Sequence, residues 1–233
     1  MKSANFIIAL LVAILAAFSC GIRLWLEYDL YALICYAAIF LALPFSSLMH
    51  ELGHMFFGAI CKIKTKPKFS LFGSSCVKLI PKTDKRLRPR LFFTAAGGLA
   101  VNLIIIIISS IPIYNNGVLP AWLCVFLPSS VYLFMLNVWS AEKTDGLVCS
   151  NLLNNTDEAK VMLAVLTVQA QVLSGKPIEE VDKSLLFDLP VIQDDNESFL
   201  ALCSLRLEYC KAVGDTEGVN KYTQRIKSLS EDE

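Results

Sequence analysis

The chain has 233 residues, 55% of them hydrophobic, and a mean hydropathy of +0.55. That is too apolar for an ordinary soluble domain and points to several membrane spans. The formal net charge is zero, and no nucleic-acid partner is expected, but the zero hides an asymmetry: residues 62–90 carry ten Lys/Arg and one acid, while residues 142–233 carry seventeen acids and nine bases. Eight cysteines, at 20, 35, 61, 76, 124, 149, 203 and 210, include no C-x-x-C pair and read as small buried hydrophobes rather than a disulfide framework or a thiolate metal site.

The first hydrophobic run covers residues 5–26, with Lys2 before it and Arg23 near its end. Ala17-Phe18-Ser19-Cys20 faintly resembles a lipoprotein cleavage site, but the run continues past it to Trp25, too long for a typical signal-peptide core, so a retained span is expected. After Glu27-Tyr28-Asp29 comes the second run, residues 30–61, long enough to cross a bilayer and tilt. Pro44 should loosen or kink it, and Gly53 and Gly58 would let a neighbouring helix approach closely.

This second run carries Met49-His50-Glu51-Leu52-Gly53-His54, which holds both histidines of the chain. On a helix, His50 and His54 at i and i+4 share one face and can share a zinc ion, and Glu51 between them is placed to act as general base toward water on that metal. Glu51 is also the only charged residue from Leu30 to Cys61. An acid near mid-bilayer costs about 2.5–3.5 kcal/mol on insertion scales, so its default reading is functional. His50 would lie about 15 Å from the Cys61 end of a continuous helix, inside the membrane slab.

In residues 62–90 the alternation of Lys62 to Phe69 and of Ser70 to Ile80, around Gly73-Ser74-Ser75, suggests a short β-hairpin near the membrane face. The ten basic residues place this loop in the cytosol. From Leu91 to Ala141 there is no charged residue. Pro112, Asn115-Asn116-Gly117 and Pro120 divide this stretch into spans over 91–112 and 119–140. The first carries Gly97-Gly98 and Asn102, suited to close helix contact and to hydrogen bonding across it. The second ends at Asn137-Val138-Trp139.

A two-histidine metal site needs at least one more protein ligand. Asp145, in Thr144-Asp145-Gly146 after the fourth span, is the first candidate and Glu142 the next; as a bare feature Thr-Asp-Gly is a turn or helix cap.

Residues 154–233 are soluble in character. Asn155 to Leu173 reads as a helix capped by Asn155 and closed by Gly175, followed by a helix from Pro177 to about Phe187. Glu197 to Val213 and Thr216 to Leu229 form a second pair around Gly214-Asp215. Ala159 to Pro190 resembles a tetratricopeptide-type helical hairpin. Two such units are too few for a free-standing solenoid, so this tail is expected to pack on itself or on a protein partner.

Over about residues 30–153 three elements together resemble the site-2 protease family of intramembrane zinc metalloproteases. They are His50-Glu51-Leu52-Gly53-His54, the glycine-rich segment with Gly98 and Asn102, and Asn137 followed by Asp145-Gly146. The resemblance implies zinc bound by His50, His54 and Asp145, water activation by Glu51, and Asn137 and Asn102 at the substrate. It departs from the family at Ser140 to Thr144, where the family carries prolines and leucine before its Asp-Gly, and no segment resembles the family's common PDZ insertion.

The expectation is therefore an all-α membrane protein with two domains. Residues 1–153 form an intramembrane metalloprotease domain of about four transmembrane helices with a small β-hairpin insertion. Residues 154–233 form a cytosolic, tetratricopeptide-like helical domain. The N-terminus, the 62–90 loop and the tail face the cytosol of a multi-pass cell-membrane protein. The expected function is zinc-dependent hydrolysis of peptide bonds in or near transmembrane segments of a membrane protein or peptide substrate within the lipid bilayer. The rivals are a non-catalytic membrane scaffold that holds partners through its tail, and a membrane HExxH protease with a different third ligand.

Overall fold

The computed structural model describes residues 2–29, 32–68, 76–115, 117–139, 144–194 and 196–231. It is mostly helical, with a small two-stranded antiparallel sheet. The elements are α1 (Lys2–Tyr28), α2 (Ala32–Ile60), β1 (Ile63–Lys68), β2 (Cys76–Pro81), α3 (Leu87–Tyr114), a 3-10 helix (Ala121–Phe126), α4 (Leu127–Val138), α5 (Asp145–Asn154), α6 (Asp157–Leu173), a 3-10 turn (Ile178–Glu180), α7 (Ser184–Phe187), α8 (Glu197–Val213) and α9 (Thr216–Glu231). They fall into two compact units. The first comprises Met1–Cys61, Thr65–Lys78 and Phe93–Ser150, and the second Lys62–Lys64, Leu79–Phe92 and Asn151–Glu233.

Among the described residues, three stretches are long and apolar enough to cross a membrane: Ala4–Tyr28, Leu87–Tyr114 and Ala121–Val138. The first shows what solvent it suits. Ile7, Leu11, Ile14, Leu15, Phe18 and Leu26 stand exposed along α1, while Ala9, Cys20 and Leu24 are buried. Such a continuous apolar surface is costly in water and at home in hydrocarbon. α2 is a helix of 29 residues that runs through Pro44. The last stretch is not one regular helix. It begins as a 3-10 helix, and α4 starts at Leu127 with Pro128 in its first turn, where the missing N–H and fixed φ suit a helix start.

In the first unit α1, α2 and α4 pack against one another. Buried hydroxyls tie α2 to α4. Ser46 and Ser129 share a hydrogen bond of 2.7 Å, and Ser130 donates to Ser46 at 3.3 Å. α2 and α3 cross at glycine. A methyl group on Gly53 would stand 2.5 Å from the Gly97 carbonyl oxygen, and one on Gly97 would stand 2.7 Å from that of Gly53, so only backbone fits at this crossing. Arg23 on α1 donates through Nε to the Pro112 carbonyl at 2.7 Å and pairs with Glu27 one turn on.

β1 and β2 pair where alternation predicts two strands, and Lys82 N–H donates to the Lys62 carbonyl at 3.4 Å just beyond them. The expected turn at Gly73-Ser74-Ser75 lies outside the described residues. Two arginines of the basic stretch hold backbone rather than standing free. Arg90 donates to the carbonyls of Thr83, Lys85 and Lys62 at 2.9, 3.0 and 2.8 Å. Arg88 donates to those of Leu152 and Leu153 at 2.6 and 2.8 Å, satisfying carbonyls in the last turn of α5.

The second unit has its own core. Val161, Val165 and Val168 on α6 face Leu202, Leu205 and Tyr209 on α8, with Val181, Leu186 and Ile192 filling between. Two details differ from the sequence reading. The cap of α6 is Thr156, which accepts from Ala159 N–H, whereas Asn155 sits in the left-handed region at φ 53° and makes the turn out of α5. The helix expected from Pro177 to Phe187 is broken in two. Val181 turns extended to bury its side chain, and the Asp182 carboxylate accepts from Ser184 N–H at 3.0 Å to start α7. Gly175 and Gly214 close α6 and α8 with positive φ, as their positions in the sequence suggest.

Leu186 is fully buried in this core, so Leu186→Ala should cost about 2–5 kcal/mol. Amide hydrogen exchange of the full chain in detergent should show faster exchange in α6 and α8; unchanged protection there would contradict the packing described.

Candidate metal centre

α2 carries His50 and His54 one turn apart, with relative exposures of 6% and 7%, and Glu51 at 6%. Their rings stand edge to face, with centroids 4.8 Å apart and planes at 84°, which brings the two Nε2 atoms to 3.2 Å. Asp145 arrives from α5 and completes a triangle. Its Oδ2 lies 3.0 Å from His50 Nε2 and 3.2 Å from His54 Nε2. Among the described residues these three form the one group of side chains placed to hold a metal ion.

Local sequence explains how Asp145 gets there. The Thr144 hydroxyl donates to the Trp139 carbonyl at 2.6 Å and accepts from Leu147 N–H at 3.2 Å, so it caps α5 and ties its start to the end of α4. Gly146 lets that start lie against α4, since a methyl group there would collide with the Val138 carbonyl. Thr-Asp-Gly is thus both the helix cap its composition suggests and the device that aims the carboxylate. Glu142, the other candidate ligand, lies outside the described residues.

α3 shapes the cavity wall. A methyl group on Gly98 would lie 2.5 Å from His54 Nε2 and 2.7 Å from His50 Nε2, so this position must be glycine for both imidazoles to reach Asp145. Further along α3, Asn102 is fully buried with its amide 2.9 Å from His50 Nδ1. On the other side His54 Nδ1–H donates to the Thr94 carbonyl at 2.8 Å. Sequence reasoning missed this last contact, because a backbone carbonyl leaves no mark on residue type.

The donor chemistry fits a cation. A carbonyl can only accept, so the proton of neutral His54 sits on Nδ1 and its Nε2 presents a lone pair toward Asp145. Asp145 Oδ2 is itself buried without a hydrogen-bond partner. Lone pairs of His54 Nε2 and Asp145 Oδ2 therefore converge on a point that a cation, or a proton on His50 Nε2, can occupy. A tetrahedral zinc with bonds of about 2.0–2.1 Å sets its donors about 3.3–3.4 Å apart, close to the observed 3.0–3.2 Å. Two imidazoles and one carboxylate suit a first-row transition metal, not calcium or magnesium, which take oxygen. Cys149 follows on α5; burial and then the Asp145 charge push its thiol up to about 11, and among the described residues it is not grouped with the three donors.

Asn137 lies near the end of α4. Its amide donates to the Leu133 carbonyl, 3.0 Å away on its own helix. Compared with protein-family models, curated proteins and solved structures, the chain matches none.

Gly98→Ala should lower metal affinity by more than about tenfold at an overpacking cost of about 1–3 kcal/mol. Metal titration and thermal melting of the detergent-purified variant check this; wild-type affinity would show that the imidazoles do not need the space at Gly98.

Proposed function

We propose that the protein is an intramembrane zinc endopeptidase, similar to the site-2 proteases, which hydrolyses peptide bonds in or near transmembrane segments of membrane-anchored substrates. The observation that carries this reading is the triangle of His50 Nε2, His54 Nε2 and Asp145 Oδ2 with a buried glutamate on the turn between the histidines. The same three donors also suit ferrous iron. Glu51 favours hydrolysis, because a carboxylate within the histidine pair is what moving a proton from water to a leaving group requires.

Zinc, when bound, supplies a Lewis acid that polarises the scissile carbonyl and acidifies water. The residues of the chain do the rest. His50, His54 and Asp145 would hold the ion. Glu51 takes up the proton of the attacking water and delivers it to the leaving nitrogen as the peptide bond breaks. Its burial in an apolar helix keeps bulk water from competing for that proton. The substrate must arrive extended, since a helix shields its carbonyls within its own hydrogen bonds. Asn137, at the end of α4, would meet substrate backbone through the amide hydrogen-bonding capacity that Leu133 does not use.

α2 serves as the fourth span in this reading, and its even run of apolar residues supports that role. The basic stretch 62–90 then faces the cytosol, as do the N-terminus and the helical tail. The metal lies in the cytosolic half of the bilayer. The tail, packed around its own core, offers its outer faces to a protein partner.

Glu51→Gln should abolish cleavage, a loss of at least about 10³-fold, while zinc content stays unchanged, because the amide cannot accept the proton. The check compares membrane peptide fragments in cells carrying the wild-type or the variant chain. Identical fragments from both would contradict the proteolytic role.

A further inference from the structure

The two histidines are supported from behind in different ways. His54 donates to a backbone carbonyl, which leaves its tautomer no choice. His50 Nδ1 faces the side-chain amide of Asn102, which offers a donor or an acceptor according to which end points inward. With nitrogen inward, Nδ2 donates to the ring. Neutral His50 then carries its proton on Nε2, aimed at Asp145 Oδ2 3.0 Å away. In that orientation Asn102 Oδ1 is buried with no partner. A half-turn of the amide puts Oδ1 against the ring instead. His50 Nδ1–H then donates to Asn102, and Nε2 turns a lone pair to the cluster. With Oδ1 unpaired, the surroundings of Asn102 do not hold nitrogen inward. What sits among the three donor atoms sets the orientation.

We propose that Asn102 is a positioning residue that selects the metal-binding tautomer of His50. Nitrogen points inward while a proton joins His50 Nε2 to Asp145, and oxygen points inward once a divalent cation of the zinc class takes that proton's place. The ring keeps a single proton throughout, moved from Nε2 to Nδ1, so both imidazoles bind as neutral ligands. This assignment rests on the metal reading of the cluster and adds a role for Asn102 distinct from substrate contact: the amide acts through His50. Partners of this kind fix ring orientation and raise ligand basicity, and their loss costs about 10–100-fold in metal affinity.

The test uses the full chain purified in detergent, zinc titrated against a chromophoric chelator, and nitrogen NMR of labelled histidine, which reports only two rings because the chain has only two. Asn102→Leu, of similar size but without an acceptor, should bind zinc about 10–100-fold more weakly. Asn102→Asp, which presents oxygen at both positions, should recover most of that loss. In the wild type, zinc should move the unprotonated nitrogen of His50 from Nδ1 to Nε2. Equal affinity of wild type and Asn102→Leu would overturn the assignment while leaving the metal site standing. So would an unprotonated His50 Nδ1 in the zinc-loaded wild type, a readout that does not depend on any variant folding. A wild-type chain that takes up no zinc would instead overturn the metal reading beneath it.

Discussion

Three electron-rich atoms, two imidazole nitrogens and a carboxylate oxygen, lie within 3.0–3.2 Å of one another in a helical unit built largely from apolar residues. Such an arrangement is unfavourable on its own terms, because buried polar atoms without partners and lone pairs facing one another both cost free energy. The surrounding structure is arranged to impose it. Thr94 turns one imidazole, Asn102 faces the other, and Thr144 anchors the helix that delivers Asp145. A cation held among the three atoms would resolve the conflict.

Bringing these atoms together sets demands on the helices that carry them. α2 and α3 must cross at backbone distance, which Gly53 and Gly97 permit, and Gly98 must leave the imidazoles their space. The run of small residues on α3 is therefore more than generic helix packing. One glycine sets the crossing and its neighbour clears the site. Ser46, one turn before His50, joins α2 to Ser129 and Ser130 on α4, so the polar contacts of α2 continue away from the three donors. Hydrogen bonds of this kind between apolar helices fix their relative rotation, and that rotation decides where His50 and His54 point.

Much of this was legible in the sequence because it is local. The i, i+4 spacing of His50 and His54 fixes their common face on any helix, and the lone charge at Glu51 singles the segment out. The strand alternation of 63–68 and 76–81 and the glycine ends of α6 and α8 are also local signals. Asp145 was only the leading candidate, since nothing in Thr-Asp-Gly shows which way its helix points; the Thr144 cap and the approach of Gly146 to α4 decide that in three dimensions. The Thr94 carbonyl could not be read at all. In the tail the pattern predicts Asn155 as the cap, yet the turn out of α5 needs a positive φ, which asparagine tolerates better than the β-branched Thr156. Likewise the pull of the core on Val181 outweighed the helical pattern around it.

The account stands on the cation, and metal content is its most direct measure. Elemental analysis of the full chain purified in detergent without added metal should find about one zinc per chain, and Asp145→Ala should lose it while keeping its helical content, since the three-donor site falls to two. A wild-type chain without a stoichiometric transition metal, or an Asp145→Ala chain that keeps its zinc, would contradict the convergence of His50, His54 and Asp145 on one ion.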